Sequence, residues 1–494
     1  MGTATATAWP GTARLRAIPG AGLLEREAPL VALLGFYVLL MAFALPHMLV
    51  QDSWLTLATG RDIVQHGLPH SNRLTIWDHG DHWVDQQWLA QIGFYAGERL
   101  GGLRLVLLIH GALMIAGFAL SLAAARARGA TPRSVALVAT ACLFVAPWGL
   151  QLRAQSFAPV LFAGLLWLLV SDSRRPGRRV LLALPILVLW ANLHGTVVVA
   201  ALLVALRGLT ILGERRARVR TGHPARTSEA LLLLASPVLV LASPYGTSLI
   251  AYYRQMLDSP LFRSYLSEWQ ASSPSARTAV FYGLALVAVV LVARHARRLT
   301  RFELLALAML AAGALASLRS IVWFALAATI ILPVLLERDL PHRPRRRQTH
   351  YRTIAKVAGL ATVVLATLVT ATRPAGWFEQ DWPKGALPVV ARQLESPGAR
   401  VIADDHTADW LLWELPGSRG RVAYDVRFEL LSARQFARLA RYRAQTGAHW
   451  RSAALGYDTV VLDAADVAGT DVGRYGTPLY DDGSVIVLRH ATRG

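Results

Sequence analysis

Residues 180–212 read VLLALPILVLWANLHGTVVVAALLVALRGLTIL. The stretch is apolar enough to sit in hydrocarbon and long enough to be either one long helix or two. The polar tetrad Asn192, His194, Gly195 and Thr196 near its middle favours two helices that meet at one membrane face. Runs of this kind dominate the chain on both sides.

Moving outward, apolar runs fall at about 29–50, 103–125, 134–150, 156–171, 180–193, 196–212, 229–244, 278–294, 302–318, 320–336 and 353–372. Each is close to the length a helix needs to cross roughly 30 Å of hydrocarbon. The expected fold class is therefore an α-helical polytopic membrane protein with about eleven transmembrane helices. The whole sequence agrees: of 494 residues 54% are hydrophobic and only 17% charged, which makes lipid the main solvent. The single cysteine, Cys142, lies inside an apolar run. Disulfide frameworks, cysteine zinc sites and CxxC redox chemistry are thereby excluded.

A net charge of +20 would suit a nucleic-acid binder, but its position argues otherwise. From Arg373 onward fifteen basic residues balance fifteen acidic ones, so the excess lies among the apolar runs. It falls in alternate short loops: Arg126, Arg128 and Arg133; Arg174, Arg175, Arg178 and Arg179; Arg215 to Arg226; Arg294 to Arg301; Arg343 to Lys356. By the positive-inside rule these loops face the cytoplasm. Only Lys356 and Lys384 are lysine, and the arginine bias is read as composition rather than phosphate recognition. An odd number of spans with the N-terminus inside puts the segment after 372 outside. No nucleic-acid partner is expected; the bilayer of the inner (plasma) membrane is. Residues 1–28, rich in Ala, Thr and Gly, read as a cytoplasmic tail ahead of a retained anchor, because no small-residue exit site follows the first apolar run.

The expected outer loop 51–102 is long and acidic, with Asp52, Asp62, Asp78, Asp81, Asp85 and Glu98. Trp54, Leu55, Ala58, Ile63 and Val64 recur at helical spacing, predicting a helix along the interface. Gly67, Pro69, Asn72 and the Asp78–Gly80–Asp81 group mark turns, and Trp83 to Leu100 predicts a second amphipathic helix. A structured loop of this length is more than a connector. Asp52 stands where the chain leaves the membrane, either as the N-cap of the first helix or as a reactive carboxylate.

Two patterns in this loop, D-x-W-x-x-L-A-T-G-R-x-I-x-x-H-G-x-P from Asp52 and W-V-x-x-x-W-L-A-Q from Trp83, carry a resemblance. They are similar to the first extracytoplasmic loop of bacterial GT-C-type integral membrane glycosyltransferase-like proteins, many of them uncharacterised. Arg-Ala-Gln-Ser-Phe at 153–157, Trp-Ala-Asn-Leu-His-Gly at 190–195, Ser-Pro-Tyr-Gly at 243–246, Glu-Trp-Gln at 268–270 and Leu-Arg-Ser-Ile-Val-Trp-Phe at 318–324 follow in the same order. The resemblance covers most of the chain, including Tyr424 to Arg427 and Tyr480 to Gly483.

It implies transfer of a sugar from a polyprenyl-phosphate-linked donor to an envelope glycan, lipid or protein acceptor at the outer face, with Asp52 matching the family's catalytic position. The chemistry fits independently. Displacing phosphate at an anomeric carbon needs a base for the acceptor hydroxyl, and desolvation at the membrane edge raises a carboxylate towards that task. Arg153, Arg319 and His194 fall at outer ends of spans, where ionisable groups are costly. They are candidates to hold the donor phosphate; headgroup snorkelling for the arginines and interhelical hydrogen bonding for Asn192 and His194 are the alternatives. Asp85, Gln87, Gln155, Asn192, Tyr245, Glu268 and Trp269 complete the candidate set. The segment 245–275 is either one wall of a carrier-lipid groove or an interfacial aromatic belt.

Gln87 stands where relatives carry Glu, which weakens a two-carboxylate metal site. No metal ligand is assigned and no cofactor is expected with certainty. A divalent cation near Asp78, His79, Asp81 and His82 competes with a simple turn.

The segment 373–494 alternates strand-like patches (RVIAD, RVAYD, YDTVVLD, PLYDDGSVIVLRH) with helix-like ones, predicting an extracytoplasmic α/β domain with a partly parallel sheet. Asp404, Asp405, Asp425 and Arg427 at its strand ends are either acceptor contacts or loop caps. The competing function is a non-catalytic envelope-assembly protein or transporter. The sequence shows no matching Gly/Pro-broken helices in two halves of the kind many transporters carry.

Overall fold

The computed structural model describes residues 26–145, 150–220, 226–258, 266–341, 348–444, 446, 449–468 and 471–490. Of the expected tail 1–28, residues 1–25 lie outside these, as do 259–265 of the segment 245–275. The chain is mostly helical. Six helices are long and apolar enough to cross a membrane: Ala28–Met48, Trp88–Ala127, Ala154–Arg174, Val197–Glu214, Ala279–Arg298 and Thr353–Thr372. The runs expected at 134–150, 229–244 and 320–336 form the shorter apolar helices Pro132–Leu143, Thr227–Leu241 and Leu318–Ile331. Residues 180–212 resolve into two helices, Ala183–Leu193 and Val197–Arg220. His194 breaks them apart with an extended backbone, φ −168° and ψ 145°.

The loop after the first candidate span departs from expectation at its second helix, which begins at Trp88 rather than Trp83 and continues into an apolar helix long enough to cross a membrane, Trp88–Ala127. Gly101 and Gly102 interrupt it, and Gly102 takes a positive φ of 65° that a side chain would resist. An amphipathic helix thus turns into a spanning one without a connecting loop. The expected first helix is present as Gln51–His66. Gly60 lies so close to the Trp88 helix that a Cβ there would collide with the Gln91 carbonyl, which explains the glycine of the Leu-Ala-Thr-Gly-Arg run by packing.

Beyond the last span, strands β1 (Val401–Ala403), β2 (Thr459–Asp463), β3 (Thr477–Asp481) and β4 (Val485–Arg489) form one sheet in the order β1-β2-β4-β3. The β1–β2 pair is parallel and the others antiparallel. Alternate residues serve opposite faces, as strand geometry requires. Val401, Ala403, Val461, Val485 and Val487 join one core with Trp54, Leu55 and Trp410, while Ile402, Val460, Ile486 and Leu488 join another with Phe436 and Leu439. The first core therefore runs from the sheet through the Asp405–Glu414 helix into the Gln51–His66 helix. The patch RVAYD, expected as a strand, makes only isolated bridges: Val422 pairs with Val401 and with Thr75 of the loop. Loop 51–102 is stitched to the sheet through the amides of Ile76 and Trp77, which donate to the carbonyls of Val422 and Ala423 at 2.9 and 3.0 Å.

Candidate functional site

Asp52 sits at the second position of its helix; the N-cap is Val50, so the capping role considered for Asp52 falls to another residue. Its neighbourhood is set by backbone ties. The Leu152 amide donates to the Met48 carbonyl at 2.8 Å, and Ser53 Oγ donates to the Leu152 carbonyl at 2.6 Å. These bonds carry Arg153 to the start of the Asp52 helix, with Arg153 Nε 3.2 Å from Asp52 Oδ2. The other end of the guanidinium holds Glu268, with Nη1 to Oε2 and Nη2 to Oε1 each 2.9 Å, and Nη2 also donates to Gln151 Oε1 at 2.7 Å. One arginine thus joins two carboxylates.

Glu268 is placed by a second set of ties. Ser317 Oγ donates to the Glu268 carbonyl at 3.0 Å and the Leu318 amide to the Gln270 carbonyl at 3.1 Å. This docks the Ser267–Trp269 turn on the corner that carries Arg319, whose guanidinium lies 4.4 Å from the Trp269 ring centre. His194 faces the positive charges of Arg153 and Arg319. Its Nδ1 accepts from the Thr196 amide at 3.2 Å, which assigns the ring proton of the neutral form to Nε2. Burial, reinforced by the two arginines, pulls this imidazole down to about 3. His194 is therefore a neutral donor and not a third cation.

The two carboxylates are driven apart. Burial raises Asp52 above the usual aspartate value, although Arg153 pulls against it. Burial also acts to raise Glu268, but Arg153 and Arg319 more than offset it and hold that carboxyl below the usual glutamate value. Asp52 keeps 32% of its side chain accessible, so it is reachable from outside. A pair of acids with opposed shifts is the pattern from which acid–base roles are built.

The remaining candidates divide. Asn192 accepts from Trp88 Nε1 at 3.1 Å and donates to the carbonyls of Val188 and Ala242, both at 2.8 Å; its bonds are spent joining elements, as the interhelical alternative had it. Tyr245 is buried and its hydroxyl donates to the Pro69 carbonyl at 2.9 Å, again a structural use. Gln87 occupies the cap position of the Trp88 helix without a capping bond, and Gln155 lies half-buried on the Ala154–Phe157 turn beside Arg153. Asp85 is buried, accepts from Gln91 Nε2 at 3.0 Å through Oδ1, and has no partner for Oδ2. Burial pushes it up to about 7. Asp78 accepts from Thr75 Oγ1 at 2.7 Å within a turn, and among the described residues no group of three or more His, Cys, Asp or Glu side chains is placed to hold a metal ion.

The sheet segment contributes a wall that sequence reasoning saw only in part. Asp404 caps the Asp405–Glu414 helix, accepting from the Thr407 amide at 2.7 Å, and Asp425 pairs with Arg427 in the interior, where Arg427 also donates to Asn72 Oδ1 at 2.8 Å. Those two calls resolve as a cap and a clamp. Asp409 and Glu429 were missed. Asp409 is fully buried with neither oxygen hydrogen-bonded, and both groups lie within electrostatic range of Asp52. No polar face marked Asp409 in TADWLLWEL, since Thr407 to Leu412 are all buried.

No protein-family profile and no curated protein matches this sequence. Solved structures do. The Archaeoglobus fulgidus oligosaccharyltransferase in its apo form aligns over 93% of this chain and 74% of its own, at 12% identity and a TM-score of 0.48. The archaeal oligosaccharyltransferase AglB from the same organism, in complex with an inhibitory peptide and a dolichol-phosphate, aligns over the same shares at 12% identity and a TM-score of 0.49.

Proposed function

We propose that this protein is a GT-C-like glycosyltransferase of the plasma membrane, moving a sugar from a polyprenyl-phosphate-linked donor to an envelope glycan, lipid or protein acceptor on the extracytoplasmic face. The observation that carries the reading is the bridge Asp52–Arg153–Glu268 at the membrane edge, with one carboxyl raised and the other lowered. Asp52 takes the proton of the acceptor hydroxyl, and the acceptor oxygen forms a bond to the anomeric carbon. The bond from that carbon to the phosphate oxygen breaks, and its electron pair leaves with the lipid phosphate. Attack opposite the leaving group inverts the anomeric centre. Arg153 and Arg319 balance the charge on the departing phosphate. Glu268, held low, stays ionised and fixes Arg153, and neutral His194 offers its Nε2 proton to an oxygen. This assignment places the N-terminus in the cytoplasm and the sheet segment outside.

The test is transfer by the purified protein from a panel of polyprenyl-phosphate sugars. Asp52→Asn is expected to lose about 100- to 10,000-fold in rate, the usual worth of a positioned base. Wild-type turnover should rise with pH as Asp52 deprotonates, with its midpoint displaced above the ordinary aspartate value. Turnover in Asp52→Asn equal to wild type removes Asp52 from the mechanism, and wild-type protein inert towards every donor favours a non-catalytic role.

A further inference from the structure

A cavity of about 620 Å³ opens on the other side of the Gln51–His66 helix, lined among others by Arg61, Glu98, Arg104, Phe378, Trp413 and Glu414. Arg61 lies nine residues beyond Asp52, about half a turn around and roughly 13 Å along the helix, so this space is separate from the candidate active site. Its level is set by two spans. The apolar stretch of the Trp88–Ala127 helix begins after its Gly101–Gly102 break, and Arg373 immediately follows the last candidate span, Thr353–Thr372. Arg104 donates to the Arg373 carbonyl, so the start of one apolar stretch and the end of the other are tied side by side and the cavity stands directly above them.

Its charges are distributed unevenly. Arg61 donates to the carbonyls of Leu412 and Trp413 at 2.7 and 2.9 Å, capping the Asp405–Glu414 helix where its dipole favours a cation. Its donors are thereby committed. Glu379 pairs with Lys384. Among the described residues neither Glu98 nor Glu414 has a hydrogen-bond or ion-pair partner, and Arg104 lies over Phe378, 5.4 Å from the ring centre, with no carboxylate bound to it. A cation without a bound carboxylate thus lies beside two carboxylates that no cation contacts directly, Arg61 attracting both only from longer range.

We propose that this cavity binds the headgroup of a zwitterionic phospholipid bearing a primary ammonium, its phosphate against Arg104 and its ammonium between Glu98 and Glu414. Exposed Leu100, 82% accessible, and half-buried Leu103 offer apolar contact to the glycerol and upper acyl chain at the same level. A primary ammonium donates hydrogen bonds to both carboxylates, whereas a choline group has none to give. An aromatic cage that would suit choline is also missing here: Arg61 lies 4.6 Å over the Trp413 ring, and Tyr95 meets that ring edge-on.

The test uses the purified full chain in detergent, titrated with phosphatidylethanolamine, phosphatidylcholine and phosphatidylglycerol of matched acyl chains, with bound lipid counted by native mass spectrometry. Wild type is expected to retain the ethanolamine lipid about tenfold better than the choline lipid, a difference of about 1.4 kcal/mol. Glu98→Gln/Glu414→Gln should bring the ethanolamine lipid down to the choline level and leave the glycerol lipid unchanged. Arg104→Gln should weaken all three. If the double variant unfolds, Glu98→Gln alone, on a helix surface, should lose part of the preference. Equal retention of ethanolamine and choline lipids by wild type overturns the proposal, as does an undiminished preference in the glutamine variants.

Discussion

The Ala158–Arg174 helix carries an arginine–carboxylate network at each end, and the two are wired in opposite senses. Just ahead of its start, Arg153 serves both Asp52 and Glu268. Near its far end, Asp172 accepts from Arg207 Nε at 2.8 Å, from both terminal nitrogens of Arg226 and from the Gly177 amide at 2.9 Å. Glu303 beside it accepts from Arg174 through Nε and Nη2, both at 2.7 Å, and pairs with Arg128. At this far end two or more donors saturate each acid, and Asp172, Glu303 and Arg207 are fully or almost fully buried. At the near end Arg153 is shared between two acids, and both keep solvent access, 32% for Asp52 and 27% for Glu268. A saturated network leaves no charge for a ligand to compensate, so it clasps helices. One that shares its arginine between two partly exposed acids has capacity to take a proton.

The contrast can be broken in descending order of effect. Asp52→Asn, with its 100- to 10,000-fold expected loss of transfer, strikes the near end alone and should leave the unfolding midpoint close to wild type. Arg207→Met strikes the far end. It removes one of the two arginines that Asp172 binds and leaves Arg226 in place, so the cost stays below the roughly 3–5 kcal/mol of a wholly uncompensated buried charge, and Thr210 and Glu214 lose a partner as well. Thermal unfolding in detergent should drop accordingly, while transfer per folded molecule stays near wild type. A variant that unfolds normally but transfers poorly would mean the two ends are coupled and the division fails. Arg153→Lys is smaller: a point charge replaces the fork that spans Asp52 and Glu268. Transfer should fall by about tenfold, with the pH midpoint displaced upward because a single ammonium cannot sit against both Asp52 and Glu268 as the fork does. An unchanged midpoint would show that Arg153 does not set the Asp52 charge.

How much of this was legible in the sequence follows from the same physics. The membrane makes charge conspicuous, so Asp52, Arg153 and Arg319 stood out as ionisable residues at apolar borders, Glu268 entered through the Glu-Trp-Gln motif, and the structure brings the four together. Asn192 and Tyr245 stood out for the same reason, but a polar group at a border is equally needed to join helix to loop, and spacing cannot separate the two uses. Asp409 was hidden because its helix is buried on nearly every side, which erases the polar face that marks a site. The second loop helix was expected from Trp83, yet Trp83, Val84 and Asp85 are buried in extended chain against Arg427, whose guanidinium lies 4.2 Å from the Trp83 ring centre. A contact across more than three hundred residues overrode local periodicity there.

Asp85, outside the Asp52–Arg153–Glu268 bridge, gives the smallest effect and sharpens the contrast from a third place. Its carboxyl accepts from Gln91 through Oδ1 and leaves Oδ2 buried without a hydrogen bond, and burial raises it to about 7 although Arg427 and the Gln87 amide pull against that. A raised acid favours folding only while protonated, so its contribution is complete below the ordinary aspartate value and is lost as pH rises through about 7. Glu429, also raised to about 7 by burial, acts in the same direction. Wild-type stability should therefore decline between about pH 4 and pH 7, and Asp85→Asn, which keeps the shape and cannot ionise, should lessen that slope without abolishing it. Chemical unfolding across this range reads the difference directly. An identical slope in both proteins would mean that Asp85 is ionised in the native state; an inverted slope would mean that carboxylates held low, as Glu268 is, dominate instead.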